Sequence, residues 1–370
     1  MTHEPIPAVR IDNEAVFEAI LPRLRETVLA GRFILGEEVS EFEGAAARFF
    51  GCEWAVGTSS GTSALTLALR GSGLNPKSRV GVPANTFFAT LEAIVSAGHI
   101  PVVLDVGDDY LISPQQLDGQ SLDALIPVHL FGMPVDMLAV MQLALEKGWW
   151  VLEDCSQAHG ATIEGKSIGS FGNAAGFSAY PTKNLGAWGD AGFVTGSDPE
   201  LRDKIQALRH HGQFVPNVHE SIAGTDRLDS IQALVLLEKL RRLPGEVEAR
   251  REIAAWYQQA LADLDLFLPG DMGLRCHVYH QFVVRVPDRE HVRGRLQQLG
   301  VTTGIHYPTP IHLQPGAEGL CEVPTRPLAA ERFSTQILSL PMYPGLTREQ
   351  VDYVASTLSY VLSSHLARRR

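Results

Sequence analysis

The chain has little of what builds stapled, spanning or polyanion-binding proteins. Its four cysteines (Cys52, Cys155, Cys276, Cys321) are scattered, with no CxxC and no Cys/His spacing. That pattern excludes a disulfide frame or a zinc ribbon as the organising principle, and no metal site is expected. Positive charge is in deficit: 31 Lys and Arg face 42 Asp and Glu, a formal net charge of −11. This argues against nucleic acid or an anionic membrane as the main partner, although a local Arg/His cluster can still hold a small anion. Long hydrophobic runs are missing too. The most apolar region, Leu122 to Leu152, is interrupted by His129, Pro134, Asp136, Glu146 and Lys147, which excludes a membrane span of about 18 residues. Met1-Thr2-His3-Glu4-Pro5 shows no basic stretch leading into an apolar one, so a cytoplasmic location is expected. The terminal Arg368-Arg369-Arg370 reads as a solvated tail.

What is present is a globular composition, 45% hydrophobic and 20% charged over 370 residues, with length for two or three domains. Short apolar runs read as strands: 54–57, 79–83, 101–105, 124–130, 149–153, 175–179 and 192–195. Between them, 62–70, 86–97, 135–147 and 199–208 carry helical patterns. The alternation predicts an α/β fold with a mainly parallel sheet covered on both faces, where ligands gather at the carboxyl ends of strands. Helices are then expected at 227–241 and 246–261, broken at Leu243-Pro244-Gly245. A strand at 278–286, a helix at 289–299, a strand at 301–305 and a helix at 347–362 follow. The expected division is a large domain, 1–243, and a smaller C-terminal α/β domain, 244–370.

Three stretches carry chemistry. Gly61-Thr62-Ser63 opens a helix whose first N–H groups lack internal partners, so a phosphate could approach there; an ordinary N-cap is the plain alternative. Asp154 ends the apolar run from Trp149 and could bond a pyridine nitrogen, or simply cap the next segment. Gln157 could donate to a phenolic ring oxygen. Lys183 follows a strand within a loop of small and polar residues, where a Schiff-base amine would need a lowered pKa. Phe87 could stack on the same ring or fill the core. A small-residue helix start, a carboxylate and an amine, in this order along the chain, are what a pyridoxal phosphate enzyme needs.

These stretches resemble the DegT/DnrJ/StrS family of sugar aminotransferases over nearly the whole chain. The opening motif matches at Gly31-Arg32-Phe33-Ile34-Leu35-Gly36, the phosphate loop at Ser60 to Leu65, and the stacking segment at Pro83 to Thr90. Glu153-Asp154 with Gln157 to Ala161 matches the pyridine anchor, and Phe177-Ser178 to Lys183-Asn184 the Schiff-base motif. Later matches are Arg227-Leu228-Asp229, His306-Tyr307-Pro308 and Ser339 to Met342. The resemblance implies pyridoxal-enzyme fold type I and a homodimer with shared sites, residues 1–30 contributing to the dimer and the small domain. It implies Gly61, Thr62, Ser63 and Ser178 at the cofactor phosphate, Phe87 stacking, Asp154 and Gln157 on the ring, and Lys183 as the Schiff-base lysine. Gly36 and the Thr225–Arg227 region would reach into the partner's site. Two departures stand out: Thr225 occupies the position of a usual Asn, and Ala179 that of a usual Phe. A dehydrating branch with His in place of the Lys is argued against by Lys183.

The resemblance further implies transfer of an amino group from an amino acid, glutamate being expected, to a keto group of a nucleotide-linked sugar. Such reactions serve aminodeoxysugar biosynthesis for antibiotics or lipopolysaccharide. Tyr180 and Gly186-Ala187-Trp188-Gly189-Asp190-Ala191-Gly192 resemble members acting on dTDP-linked 3-keto-6-deoxyhexoses. C4-keto sugars and cyclitols are the alternatives within the family. A non-catalytic cofactor-binding regulator and a lyase of the same fold are the alternatives beyond it. Gly36, Tyr180, His306, Tyr307 and His312 are the candidate substrate contacts, with His210 and His211 beside them.

Overall fold

The computed structural model describes residues 4–369, and side chains up to 364. The expected arginine tail therefore lies outside the described side chains, and Met1–His3 outside the described residues. Seven strands form the main sheet: β1 Trp54–Thr58, β2 Arg79–Pro83, β3 Ile100–Leu104, β4 Ala124–Leu125, β5 Trp150–Asp154, β6 Ala174–Ser178 and β7 Gly192–Gly196. Their spatial order is β1-β7-β6-β5-β4-β2-β3. Strands β3, β2, β4, β5 and β6 run parallel, while β7 is antiparallel to both neighbours. All five residues of β1 and of β7 are buried, so both faces of the sheet are covered, as unbroken apolar strands require.

The principal helices are α1 Glu14–Leu29, α2 Glu37–Phe50, α3 Gly61–Gly71, α4 Phe88–Ser96, α5 Met137–Lys147, α6 Pro199–Leu208, α7 Ser230–Ala260, α8 Arg289–Gln298 and α9 Arg348–Arg369. Their ends follow local chemistry. The Asp136 side chain accepts the Ala139 N–H at the start of α5, and Gly148 closes that helix at φ 73°, the left-handed conformation glycine adopts without strain. A second, antiparallel pair joins β8 Phe282–Arg285 to β9 Ile337–Leu340. It packs into a separate apolar cluster with α8, α9 and Ile6 from the N-terminal segment.

Three expectations fail, each for a local reason. Helix α7 runs unbroken through Leu243-Pro244-Gly245. Pro244 and Gly245 face solvent, whereas Leu240 and Leu243 pack into the main core and Ile253, Ala254 and Tyr257 into the second. Burial on both sides outweighs one missing backbone hydrogen bond. The strand expected over 124–130 stops after Leu125, because Pro127 has no N–H to give a ladder. Its carbonyl instead accepts the Asp154 N–H at 2.9 Å. The stretch 301–305 makes only isolated bridges, Val301 to Ile6 and Gly304 to Ser339.

Candidate active site

The carboxyl end of β5 presents two adjacent carboxylates to opposite sides, as the strand's alternation dictates. Glu153 is fully buried and accepts from His129 Nε2 at 3.1 Å and from the amides of Gly169, Phe171 and Gly172 at 2.8–2.9 Å. Burial alone would raise its pKa, but these donors hold it below the ordinary value. His129 Nδ1 accepts the Val135 N–H, which assigns the proton to Nε2. His129, Glu153 and Cys155 offer ligand atoms within 4.8 Å of one another, yet the Glu153 oxygens and His129 Nδ1 are already engaged by protein N–H groups. This trio braces the scaffold.

Asp154 faces the other way, into a cleft of about 400 Å³. Its Oδ2 accepts from Thr90 Oγ1 at 2.9 Å and its Oδ1 from the Ser156 N–H at 3.1 Å. The Pro127 carbonyl and the His129 amide clamp its backbone on both sides. Lys183 enters the same cleft from the loop after β6. There its N–H donates to the Tyr180 carbonyl, and the Ala187 N–H donates to that of Ala179. Asn184 ties this loop to the segment around Val278, a main-core residue, donating to the Val278 carbonyl at 3.1 Å, and its Oδ1 lies 3.3 Å from His280 Nδ1. Desolvation lowers the Lys183 pKa to about 8, against the opposing pull of Asp154. Burial, then the Lys183 charge, lowers His306 to about 4 and pushes His280 well down. Both imidazoles in the cleft are therefore neutral at pH 7.

At the other end of the cleft, α3 begins with Ser60 Oγ accepting the Ser63 N–H at 3.0 Å. A Cβ on Gly61 would lie 2.5 Å from Ser178 Cβ, so only glycine lets this helix start close against the end of β6. Gly61, Thr62 and Ser178 line the cleft together. Ser63 does not: its Oγ donates to Asp226 Oδ1 at 2.7 Å. Phe87, 55% exposed, lies over the cleft with its ring 5.4 Å from that of Tyr307. The Gln157 Oε1 accepts the Phe131 N–H, and its Nε2 donates to the Tyr307 hydroxyl at 3.0 Å, which leaves one amide proton free for a ligand. A helix start, an aromatic with an open face, a carboxylate and a pKa-lowered amine around one cleft fit pyridoxal phosphate.

Among the sequence-derived candidates, Gly61, Thr62, Phe87, Asp154, Gln157, Ser178, Tyr180, Lys183, His306 and Tyr307 line this one cleft. Gly36 lies elsewhere, its N–H directed to Ser230 Oγ. Thr225 pairs with His211 and Arg227 with His210, outside the cleft of their own chain. His312 is occupied by Glu331 at 3.2 Å. Sequence reasoning missed Thr90, His280 and Asn184. Thr90 meets Asp154 across 64 positions, and nothing local to either residue signals the pairing.

The DegT/DnrJ/EryC1/StrS aminotransferase family model matches residues 15–359. The chain is 38% identical to the UDP-N-acetyl-3-dehydro-alpha-D-glucosamine 3-aminotransferase of Acidithiobacillus ferrooxidans, over 92% of this chain and 95% of that one. It is 39% identical to the dTDP-3-amino-3,4,6-trideoxy-alpha-D-glucose transaminase of Streptomyces venezuelae, over 87% and 86%. The crystal structure of NtdA from Bacillus subtilis with bound cofactor PMP superposes with a TM-score of 0.91 at 29% identity, covering 98% of this chain and 86% of that one. Family match and site geometry agree: the chain belongs to the DegT/DnrJ/EryC1/StrS aminotransferases and is a pyridoxal phosphate-dependent enzyme.

Proposed function

We propose that this aminotransferase moves an amino group from an amino acid, glutamate first among candidates, to the C3 keto group of a dTDP-linked 6-deoxyhexose. The observation that carries the chemistry is the Lys183 amine, with a pKa lowered to about 8, in one cleft with the Asp154 carboxylate. When bound, pyridoxal phosphate supplies an aldehyde carbon that takes up and releases an amino group, and a ring that holds the electron pair left on a substrate carbon. The chain's own residues do the rest. Lys183 would hold the cofactor at rest and then carry the proton at the donor's Cα as base and acid. Asp154, oriented by Thr90 and the Ser156 N–H, would keep the pyridine nitrogen protonated. Gly61, Thr62 and Ser178 would bind the phosphate, Phe87 would cover the ring, and Gln157 would bond its phenolic oxygen. Tyr180, His306 and Tyr307 face the remaining space, where a sugar would lie.

Support for C3 comes from Tyr180 and the Gly186–Gly192 stretch, and from two relatives whose names both place nitrogen at C3 of a sugar. A UDP-linked sugar is the second reading, favoured by the UDP-sugar relative at 38% identity. Mixing enzyme and glutamate without sugar should release one 2-oxoglutarate per site; no release would end the scheme. Offering dTDP-3-keto-, dTDP-4-keto- and UDP-linked 3-keto-sugars in turn, with NMR of the products, then reads the position and the base directly.

A further inference from the structure

A second cavity lies against the Lys183 loop and shares only Thr182 and Lys183 with the lining of the substrate cleft. It holds about 90 Å³ and is walled by the N-terminal segment 9–12, the loop 181–186 and one face of α7. That space suits several waters or one small ion and is far too small for a nucleotide sugar. Lys239, Arg242, Glu246 and Arg250 recur at helical spacing along that face of α7, and Arg10 and Asp12 face them from the N-terminal segment. With Lys183, which also lines the cavity, five basic side chains face two carboxylates in a chain of net charge −11.

Those cations are poorly neutralised by the protein. Arg250 is only 5% exposed, its Nη1 donates to the carbonyls of Tyr279 and Met342, and its buried Nε has no partner. Among the described residues, no carboxylate lies within ion-pair distance of Arg10, Lys239 or Arg250. Arg242 alone is paired, with Glu238 at 2.7 Å. Burial, only partly offset by Glu246, lowers the pKa of both Lys239 and Arg250, the expected result for cations gathered in a poorly hydrated place with too little counter-charge. A buried donor without an acceptor is costly, and an anion in this pocket would supply the acceptor.

We propose that this pocket is a binding site for a small oxyanion, inorganic phosphate or the carboxylate of a short dicarboxylic acid. Lys239, Arg242 and Arg250 of α7 and Arg10 would hold it. An anion there joins the N-terminal segment, α7 and the rear of the loop that carries Lys183.

The test is calorimetric titration of the holoenzyme with inorganic phosphate and, separately, with glutarate, each in the presence of saturating UDP or dTDP to fill the substrate cleft. At least one of the two anions should bind saturably, and which one binds identifies the source. In the double variant R10A/K239A its dissociation constant should rise about tenfold or more, with the holoenzyme absorption spectrum unchanged. K239Q alone serves if the double variant does not retain cofactor. Absence of binding by both anions overturns the proposal. So does binding that the nucleotides abolish, which places it in the cleft, or affinity that the variants leave intact.

Discussion

At the scale of the residue, reactivity rests on Lys183 losing a proton more readily than an ordinary lysine. Its pKa of about 8, against 10.5 for a free side chain, means the neutral, nucleophilic amine is half populated near pH 8 and falls away below it. Capture of added pyridoxal phosphate by apoenzyme should therefore accelerate with rising pH through a midpoint near 8, followed by stopped-flow absorbance. A midpoint at the ordinary lysine value would show that the loop does not perturb the amine. Asp154 was legible in sequence because it ends an apolar run and Lys183 because it lies in the loop after one, and ligands gather where such runs end. Thr90, His280 and Asn184 were not, because their roles come from partners brought together only by folding. His280 lies in Val278-Tyr279-His280-Gln281, where nothing separates a cleft imidazole from a packed one. Ser63 was read as part of the phosphate loop, and no local pattern announces that Asp226, 163 positions away, engages its hydroxyl.

At the scale of the element, six of the seven strands of the main sheet were readable because both faces are largely buried, so the centre of each five-residue run is mostly apolar; the two-residue β4 was overdrawn. The ends of the helices expected at 62–70, 86–97, 135–147 and 199–208 were readable to within two residues, three of them because Ser60, Asp136 and Asp198 each accept an otherwise orphaned N–H. By contrast, α1 and α2 were not read, and α9 runs seven residues past the expected 362. The continuity of α7 was not readable, since Pro-Gly is a strong local stop and only tertiary packing overrules it. That conflict has a measurable size. Pro244 is exposed and denies its helix one backbone donor. Pro244→Ala should stabilise the protein against urea by about 1–3 kcal/mol. A loss of stability instead would mean that the packing of α7 depends on the proline's distortion.

At the scale of the whole molecule, the cleft draws on both cores: Asp154, Lys183 and Tyr307 come from the side of the main one, while His280 follows Tyr279 of the second and His306 bonds Ser339 in β9. We propose that the boundary between large and small domains runs along α7, and that the functional unit is a homodimer in which Gly36, Thr225 and Arg227 serve the partner's cleft. Their position outside their own chain's cleft supports that reading. Mixing Lys183→Ala protein with Arg227→Ala protein should then restore part of the activity that each has lost, because mixed dimers hold one site with both groups intact. Failure to complement, in an assay where exchange of subunits is verified by mass, would place all the working groups on one chain. The unbroken α7 also sets how the molecule can be divided. The passage from one core to the other falls partway along a single rod, between Leu243 and Ile253, with no slack connector to sever. Either piece expressed by itself would carry a raw greasy stripe where the other used to lie.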